Sequence, residues 1–402
     1  MFVCLLAQNI LLPRALGPFN YGLVVALIVV PNMFSGLMEP ASYSLLVRQG
    51  TRPDAENAAL AWRAFCAAGV IWIAALAAAL GYGAYYMRTA GHAAGWQDFA
   101  LLAVMMAFFF VNALLLGMAV ERGNSTQIAL VYLAHTLSTL ICVALNFANS
   151  VTGTLALFVA NQLSMFAVLL FGLGSARILS RLRDVRRLAR TATRPAAGDV
   201  ARICLAATAS RLTLLFLSVV SVLLASFWLT TYQLGVFRMG LTVVNSAQYL
   251  APVSAPLLQG YFAETRTYTE KLAALARVLA LVGCVGLALA AGAIMFAGPI
   301  LSFLLGTAIE PDTSIYILFS SIPFFILVAP LSSMLFSMGL ENALLRALSA
   351  TIAVFLAVAV FHFHLAYLLA CIAFVAFALF EAIRAQRRKP PADAQPDRKE
   401  SV

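Results

Sequence analysis

Long apolar stretches alternate with short polar ones along almost the whole chain. Nearly charge-free segments run over about residues 22–47, 58–86, 99–120, 127–147, 154–176, 203–229, 239–262, 272–297 and 315–338. From Ala347 to Phe380 the strongly polar interruptions are His362 and His364, so that stretch reads as two short helices joined by a tight turn at Phe361-His362-Phe363-His364. An α-helix rises about 1.5 Å per residue, so a hydrocarbon core of about 30 Å takes about 20 apolar residues. The pattern therefore predicts eleven spanning helices. Met1–Leu12 is a twelfth apolar segment that covers only about 18 Å, and it reads as a truncated first helix.

Two of these segments carry a polar stripe at helical spacing. In the second span it is Asn32, Ser35, Glu39 and Ser42; in the eighth it is Arg238, Thr242, Asn245 and Tyr249, with Gln248 beside it. Steps of three and four place each set on one face. A polar face in lipid turns toward protein or water, so the stripes read as cavity lining or as glue between packed helices. The two spans also share a faint repeat. Tyr21-Gly22-Leu23-Val24 matches Leu234-Gly235-Val236-Phe237, and an asparagine stands ten residues after each glycine, at Asn32 and Asn245.

Composition excludes a soluble protein. Of 402 residues, 63% are hydrophobic and 10% charged, against about 25% charged in soluble domains. The net charge of +10 raises nucleic-acid binding in a soluble chain, but here the basic residues sit in short loops and at the C-terminus, where they set topology, and no nucleic-acid partner is expected. The six cysteines lie in or beside apolar stretches and form no CxxC, so neither a disulfide framework nor a metal site is expected. The start of the chain has no basic segment with a small-residue cleavage site, so no cleavable signal peptide is expected.

Basic residues fix the orientation. Arg177, Arg181, Arg183, Arg186, Arg187, Arg190, Arg194 and Arg202 lie between spans six and seven, and Arg384, Arg387, Arg388, Lys389, Arg398 and Lys399 lie in the tail. Arg48, Arg52, Arg63, Arg122, Arg266, Lys271, Arg277 and Arg346 fall on the same side; Arg14, Arg88 and Arg238 fall on the other, and Arg211 lies inside span seven. The basic side of a polytopic protein is cytoplasmic, which places both termini on the cytoplasmic side of the membrane. The expected organisation is an N-terminal six-helix lobe at 1–176, a basic cytoplasmic linker at 177–202, a C-terminal six-helix lobe at 203–383 and a disordered cytoplasmic tail at 384–402.

The segment Pro13-Arg14-Ala15-Leu16-Gly17-Pro18-Phe19-Asn20-Tyr21-Gly22 resembles the signature of polysaccharide-biosynthesis flippases, the Wzx-type O-antigen and exopolysaccharide transporters of the multidrug/oligosaccharidyl-lipid/polysaccharide (MOP) superfamily. Gly36-Leu37 with Ala41, Leu234-Gly235-Val236-Phe237-Arg238 and Ala255-Pro256-Leu257 resemble further short motifs of that family. Phe237 stands where tyrosine is usual, and Ser210 precedes Arg211 where an acidic residue is common. The resemblance implies an all-α, MATE-like integral membrane protein of about twelve helices in two six-helix lobes around a central cavity. It implies translocation of an undecaprenyl-pyrophosphate-linked oligosaccharide by alternating access, for O-antigen, capsule or exopolysaccharide assembly, with membrane lipid and glycan-assembly proteins as further partners.

That chemistry suits the residues. A lipid pyrophosphate cannot cross hydrocarbon unaided, because burying its charge is very costly. Arginine is always charged and binds phosphate bidentately, so Arg211 and Arg238 are the first substrate-binding candidates and Arg14 the third, with Asn32, Asn245 and Thr242 lining the path. Arg211 also reads as a snorkelling residue or as the partner of a neighbouring carboxylate, and Arg238 and Arg14 as helix anchors. Glu39 reads as a proton- or sodium-coupling carboxylate, as an arginine partner or as a solvated helix-end charge. His135 reads as a hydrogen-bonded packing residue. No catalytic residue, metal or bound cofactor is expected.

Other functions fit less well. A lipid II flippase stays open as an alternative, since its substrate carries the same pyrophosphate. A multidrug cation exporter of the same superfamily would want intramembrane acids, where this chain has mostly arginine. A major-facilitator transporter would carry a Gly-x-x-x-Asp-Arg-x-Gly-Arg loop where this chain reads VRQGTRPDAEN. A membrane polysaccharide polymerase or glycosyltransferase would need positioned acid–base groups, and the longest outer loop, about Phe296–Ser314, offers only Glu310 and Asp312. No P-loop is present to couple ATP.

Overall fold

A computed structural model describes residues 2–51, 55–91, 95–121, 125–145, 150–191, 212–247, 268–337 and 340–387, and among these there is no strand. The helices are α1 (Phe2–Thr51), α2 (Ala55–Thr89), α3 (Trp96–Glu121), α4 (Ser125–Ala144), α5 (Val151–Leu173) and α6 (Ser175–Thr191). They continue as α7 (Leu212–Trp228), α8 (Thr231–Ser246), α9 (Tyr268–Met295), α10 (Ala297–Leu305), α11 (Thr313–Phe319), α12 (Ile322–Ser337), α13 (Glu341–Ala359) and α14 (Phe363–Arg387). Eight described stretches are long and apolar enough to cross a membrane, and Ala129–Ile141 and Leu212–Trp228 are shorter apolar helices. The chain is an all-α, multi-pass membrane protein.

Local chemistry explains where helices break. In α1, Gly17 adopts φ 70° and ψ 170°, a combination that only glycine reaches without strain. Its extended ψ also suits the residue before Pro18, and proline then starts the second arm of the helix, where its missing N–H costs nothing. The Leu-Gly-Pro motif is thus a hinge between two arms, 2–16 and 18–51. The turn between α13 and α14 falls at the expected histidines: His362 Nδ1 accepts the Leu365 N–H at 3.3 Å and so caps α14.

Four expectations are corrected. The basic segment after span six is helical over Ser175–Thr191 rather than a loop. The eighth span begins at Thr231 and not at 239. A capping box starts it: the Thr230 N–H donates to Gln233 Oε1 at 3.1 Å and the Gln233 N–H donates to Thr230 Oγ1 at 3.3 Å, which satisfies two first-turn donors. The stretch 315–338 breaks at Ser320–Ser321 into α11 and α12, as expected just ahead of Pro323. The loop at Phe296–Ser314 contains α10, closed by Gly306 at φ 67°.

The chain divides into two compact units, Met1–Asn245 with Ala293–Phe319, and Ser246–Gly292 with Ser320–Val402. In the first, α1 packs on α2, α3, α4, α7 and α10, and α3 and α4 pack on α5. Buried amides join these helices. Asn112 Nδ2 donates to the Gln162 carbonyl and to Gln162 Oε1, at 2.9 and 2.8 Å. Gln127 Nε2 donates to the Leu169 carbonyl at 3.1 Å, and Gly172 leaves the space that this amide fills. Asp98 accepts from Thr152 Oγ1 at 2.6 Å.

In the second unit α12, α13 and α14 pack on one another around buried Phe325, Phe355, Tyr367 and Phe374. Gly286 of α9 lies close to the backbone of Pro323. At one end Glu381, 8% exposed, takes a bidentate pair from Arg346, with Nε–Oε1 and Nη2–Oε2 both at 2.9 Å. Arg384 stands 3.9 Å away. Removing the arginine takes the bidentate partner from a buried carboxylate, whereas removing the glutamate leaves an exposed cation. Arg346→Ala should therefore lower the melting temperature in detergent more than Glu381→Ala, by about 1 kcal/mol given that Arg346 is 59% exposed and screened by water. Equal melting of the two variants would contradict the asymmetry.

Candidate functional site

The site is built on a helix crossing. Gly22, in the second arm of α1, faces the carbonyl oxygen of Thr231, and Gly235 of α8 faces the carbonyl oxygen of Pro18. Each glycine thus meets the residue four positions before the other, so the contact is locally two-fold. A Cβ on either glycine would overlap that oxygen. Small residues let helix backbones approach this closely in a membrane, and the Cα–H groups then lie against carbonyl oxygens. The glycines of the faint sequence repeat are the two halves of one contact.

The crossing brings side chains of α1 and α8 together. Tyr21, buried beside Gly22, is hydrogen-bonded to Arg238 and Thr242, one and two turns beyond Gly235. The Arg238 guanidinium faces the tyrosine oxygen, the Thr242 hydroxyl stands beside it, and that hydroxyl donates to the Arg238 carbonyl at 2.9 Å.

A second tether comes from α7. Its Phe216–Val220 segment is a π turn, in which the hydrogen-bond ladder slips by one residue. Inside that turn the Ser218 carbonyl accepts Arg238 Nη1 at 3.0 Å. The guanidinium is therefore held by a carbonyl and a phenol. No ion pair joins Arg238 to a carboxylate among the described residues.

Arg238 opens on a cavity of about 190 Å³ in the first unit, lined by α1, α4, α5, α7 and α8. Its polar wall is Tyr21, Asn32, Thr139, Asn161, Ser218 and Arg238, and its apolar wall includes Val25, Leu157 and Phe158. No lining residue is acidic. Asn161 is held at both ends of its amide: Oδ1 accepts from Ser138 Oγ, and Nδ2 donates to Thr139 Oγ1 at 3.1 Å. Asn32 lines the same cavity, and its side chain makes no hydrogen bond among the described residues. At about 30 Å³ per water, the cavity has room for about six waters, enough for a charged headgroup but not for a whole glycan.

The sequence candidates separate on the structure. Arg238 and Asn32 share the cavity, and Thr242 supports it through Tyr21. Asn245 is one turn further along α8, with its Oδ1 buried and unpartnered among the described residues. Arg14 is elsewhere: its guanidinium lies 5.6 Å from the Phe303 ring centre and its stem packs on Gly306 at the end of α10, where a cation suits the helix dipole. Arg211 and the Glu39 side chain lie outside the described residues. His135 accepts from Ser138 Oγ and Thr139 Oγ1 through its backbone carbonyl, at 3.0 and 2.9 Å. Sequence reading passed over Tyr21, Thr139 and Asn161 as site residues, although an Asn-Gln pair in the middle of a span is itself a signal.

Solved structures share this architecture. The chain is similar to a multidrug resistance MATE-family transporter of the MOP superfamily in its inward-facing conformation, with 14% identity, a TM-score of 0.64, and 97% of this chain and 96% of that one covered. It is similar to the lipid II flippase MurJ in an inward closed conformation, with 12% identity, a TM-score of 0.64, and 95% and 85% covered. A MOP superfamily transporter from Pyrococcus furiosus, described as having a binding pocket of reverse polarity, matches with 14% identity, a TM-score of 0.55, and 96% and 93% covered. These likenesses establish a MATE-like fold. No curated protein sequence matches significantly. Residues 11–311, which include the glycine crossing and all of the cavity, match the polysaccharide biosynthesis protein family, and the chain belongs to that family.

Proposed function

We propose that the protein is a flippase that moves a polyprenyl-pyrophosphate-linked oligosaccharide across the bacterial inner membrane by alternating access between its two sets of six spans, 1–176 and 203–383, with both termini cytoplasmic. One observation carries the reading. Arg238 is a half-buried cation beside a cavity, held by uncharged acceptors and unpaired with any described carboxylate. An intramembrane charge without a counter-ion marks a substrate path, and a guanidinium selects phosphate. Membership of a polysaccharide biosynthesis family supports a glycan cargo. The Asn32 amide in the cavity wall suits a sugar hydroxyl or a phosphate oxygen. Glu39 is the candidate for proton or sodium coupling, and Arg211 is a second cation on the same path.

Glycan export in a flippase-null strain, with protein level checked by blot, tests this. The Arg211→Gln, Arg238→Gln double variant should insert normally, because removing charge makes a span more apolar, yet it should export almost nothing. Full export at normal abundance would show that neither cation handles the cargo.

A further inference from the structure

We propose that α6 is a docking surface for the headgroups of anionic phospholipids. The helix is placed for it. After α5 ends at Leu173, Gly174 turns the chain at φ 77° and ψ 122°, and α6 begins at Ser175. Ile178 packs on the buried cluster of Leu115, Val131, Leu169 and Leu173. Val185, two turns on, is buried, and α6 lies against α2. The Arg186 guanidinium sits 5.8 Å from the ring centre of Trp62. Trp62 comes just before Phe65–Thr89, the part of α2 apolar enough to cross a membrane. Thus α6 runs level with the edge of the hydrocarbon, where lipid phosphates lie.

The opposite face is charged. Arg183, Arg187 and Arg190 stand at steps of four and three on one side of α6, and all are exposed. The helix carries one acid, Asp184, and no described ion pair involves α6. The apolar face is already committed to the protein, so this stripe is the surface left over. A phospholipid phosphate is the anion present at that depth, and a polybasic helix beside a span attracts it. Arginine engages it through two parallel N–H bonds where lysine offers a point charge.

The test uses the full-length protein reconstituted in nanodiscs of equimolar phosphatidylcholine and phosphatidylglycerol. After extraction, the lipids that stay bound are counted by native mass spectrometry. Wild type should be enriched in phosphatidylglycerol, and raising the salt should lower the enrichment. The Arg183→Gln, Arg187→Gln, Arg190→Gln variant should lose about ten-fold or more of it, and the matching triple lysine variant should fall between. Arg88→Gln, at the far end of α2, should match wild type. Arg177 and Arg181 remain to hold the topology, and Arg187→Gln alone should show a partial loss if the triple variant does not fold. Equal enrichment in wild type and the glutamine variants, as an acidic protein partner or a purely topogenic role would give, would overturn the proposal.

Discussion

Alanine at Gly22 or Gly235 should cripple the protein, although it adds a single methyl group. Each new Cβ would overlap a backbone carbonyl oxygen, of Thr231 in one case and Pro18 in the other. Neither oxygen can swing aside as a side chain would, so the two helices must separate along the crossing. Overpacking of a well-filled core costs about 1–3 kcal/mol, and a clash with backbone belongs at the upper end of that range. The separation also pulls Tyr21 away from Arg238 and Thr242, so transport should fall with stability. Gly69 and Gly283 are the controls. A Cβ there meets nothing within 4 Å, so alanine should leave melting unchanged or raise it by about 0.5–1 kcal/mol through helix propensity. The two crossing glycines should also be strongly non-additive. Once one alanine has parted the helices, the second finds the space already made. Thermal unfolding of both single variants and the double in detergent measures this, and a double variant whose loss equals the sum of the singles would mean that the two contacts are independent.

Arg238 should be needed for its shape as well as its charge. It holds the Ser218 carbonyl and the Tyr21 phenol with part of its donor set and has others left for cargo. If those form charge-assisted bonds of about 1.5–3 kcal/mol during translocation, Arg238→Gln should slow export about ten- to a hundred-fold. Lysine keeps the charge but cannot serve the tether and the cargo in one plane, so Arg238→Lys should export at an intermediate rate. Tyr21→Phe removes only the lateral support and should cost less than either change at Arg238. Glycan export per unit of blotted protein gives the ranking. Wild-type export from Arg238→Gln would remove the cation from the mechanism, and equal export from the glutamine and lysine variants would remove its charge.

Much of this was legible before any coordinates. Apolar length gives roughly where the spans lie, and the break at Gly17-Pro18 and the turn at His362 follow from residues that leave the chain few alternatives. The repeat around Gly22 and Gly235 was visible as a pattern, but a pattern cannot say that its two copies touch. That required knowing which faces of α1 and α8 meet. The depth of Arg238 was misread for a local reason. Counting apolar residues places the helix start at 239, whereas the Thr230–Gln233 capping box starts it at Thr231 and carries the arginine two turns inside. The helicity of α6 was hidden by its low apolar content, because four apolar positions, Ile178, Leu182, Val185 and Ala189, suffice when α2 and α5 supply the rest of the contact. Thr139 and Asn161 were hidden because their partners lie on neighbouring helices.

The two-fold contact at the glycines also pairs the residues around it. Counting outward from Gly22 and Gly235, Asn32 answers to Asn245, Val29 to Thr242, and Val25 to Arg238. Val25 and Arg238 both line the cavity. Had these helices belonged to two identical subunits, the interface would have been isologous, with each patch facing its own copy. An arginine at this position would then have confronted a second arginine across the axis, and a pair of like charges in so small a space would repel. Carrying both copies in one polypeptide removes that obligation. One copy keeps a hydrocarbon wall while its counterpart becomes a cation, so the cavity has a positive end and an apolar end. A symmetric pair could not provide that polarity.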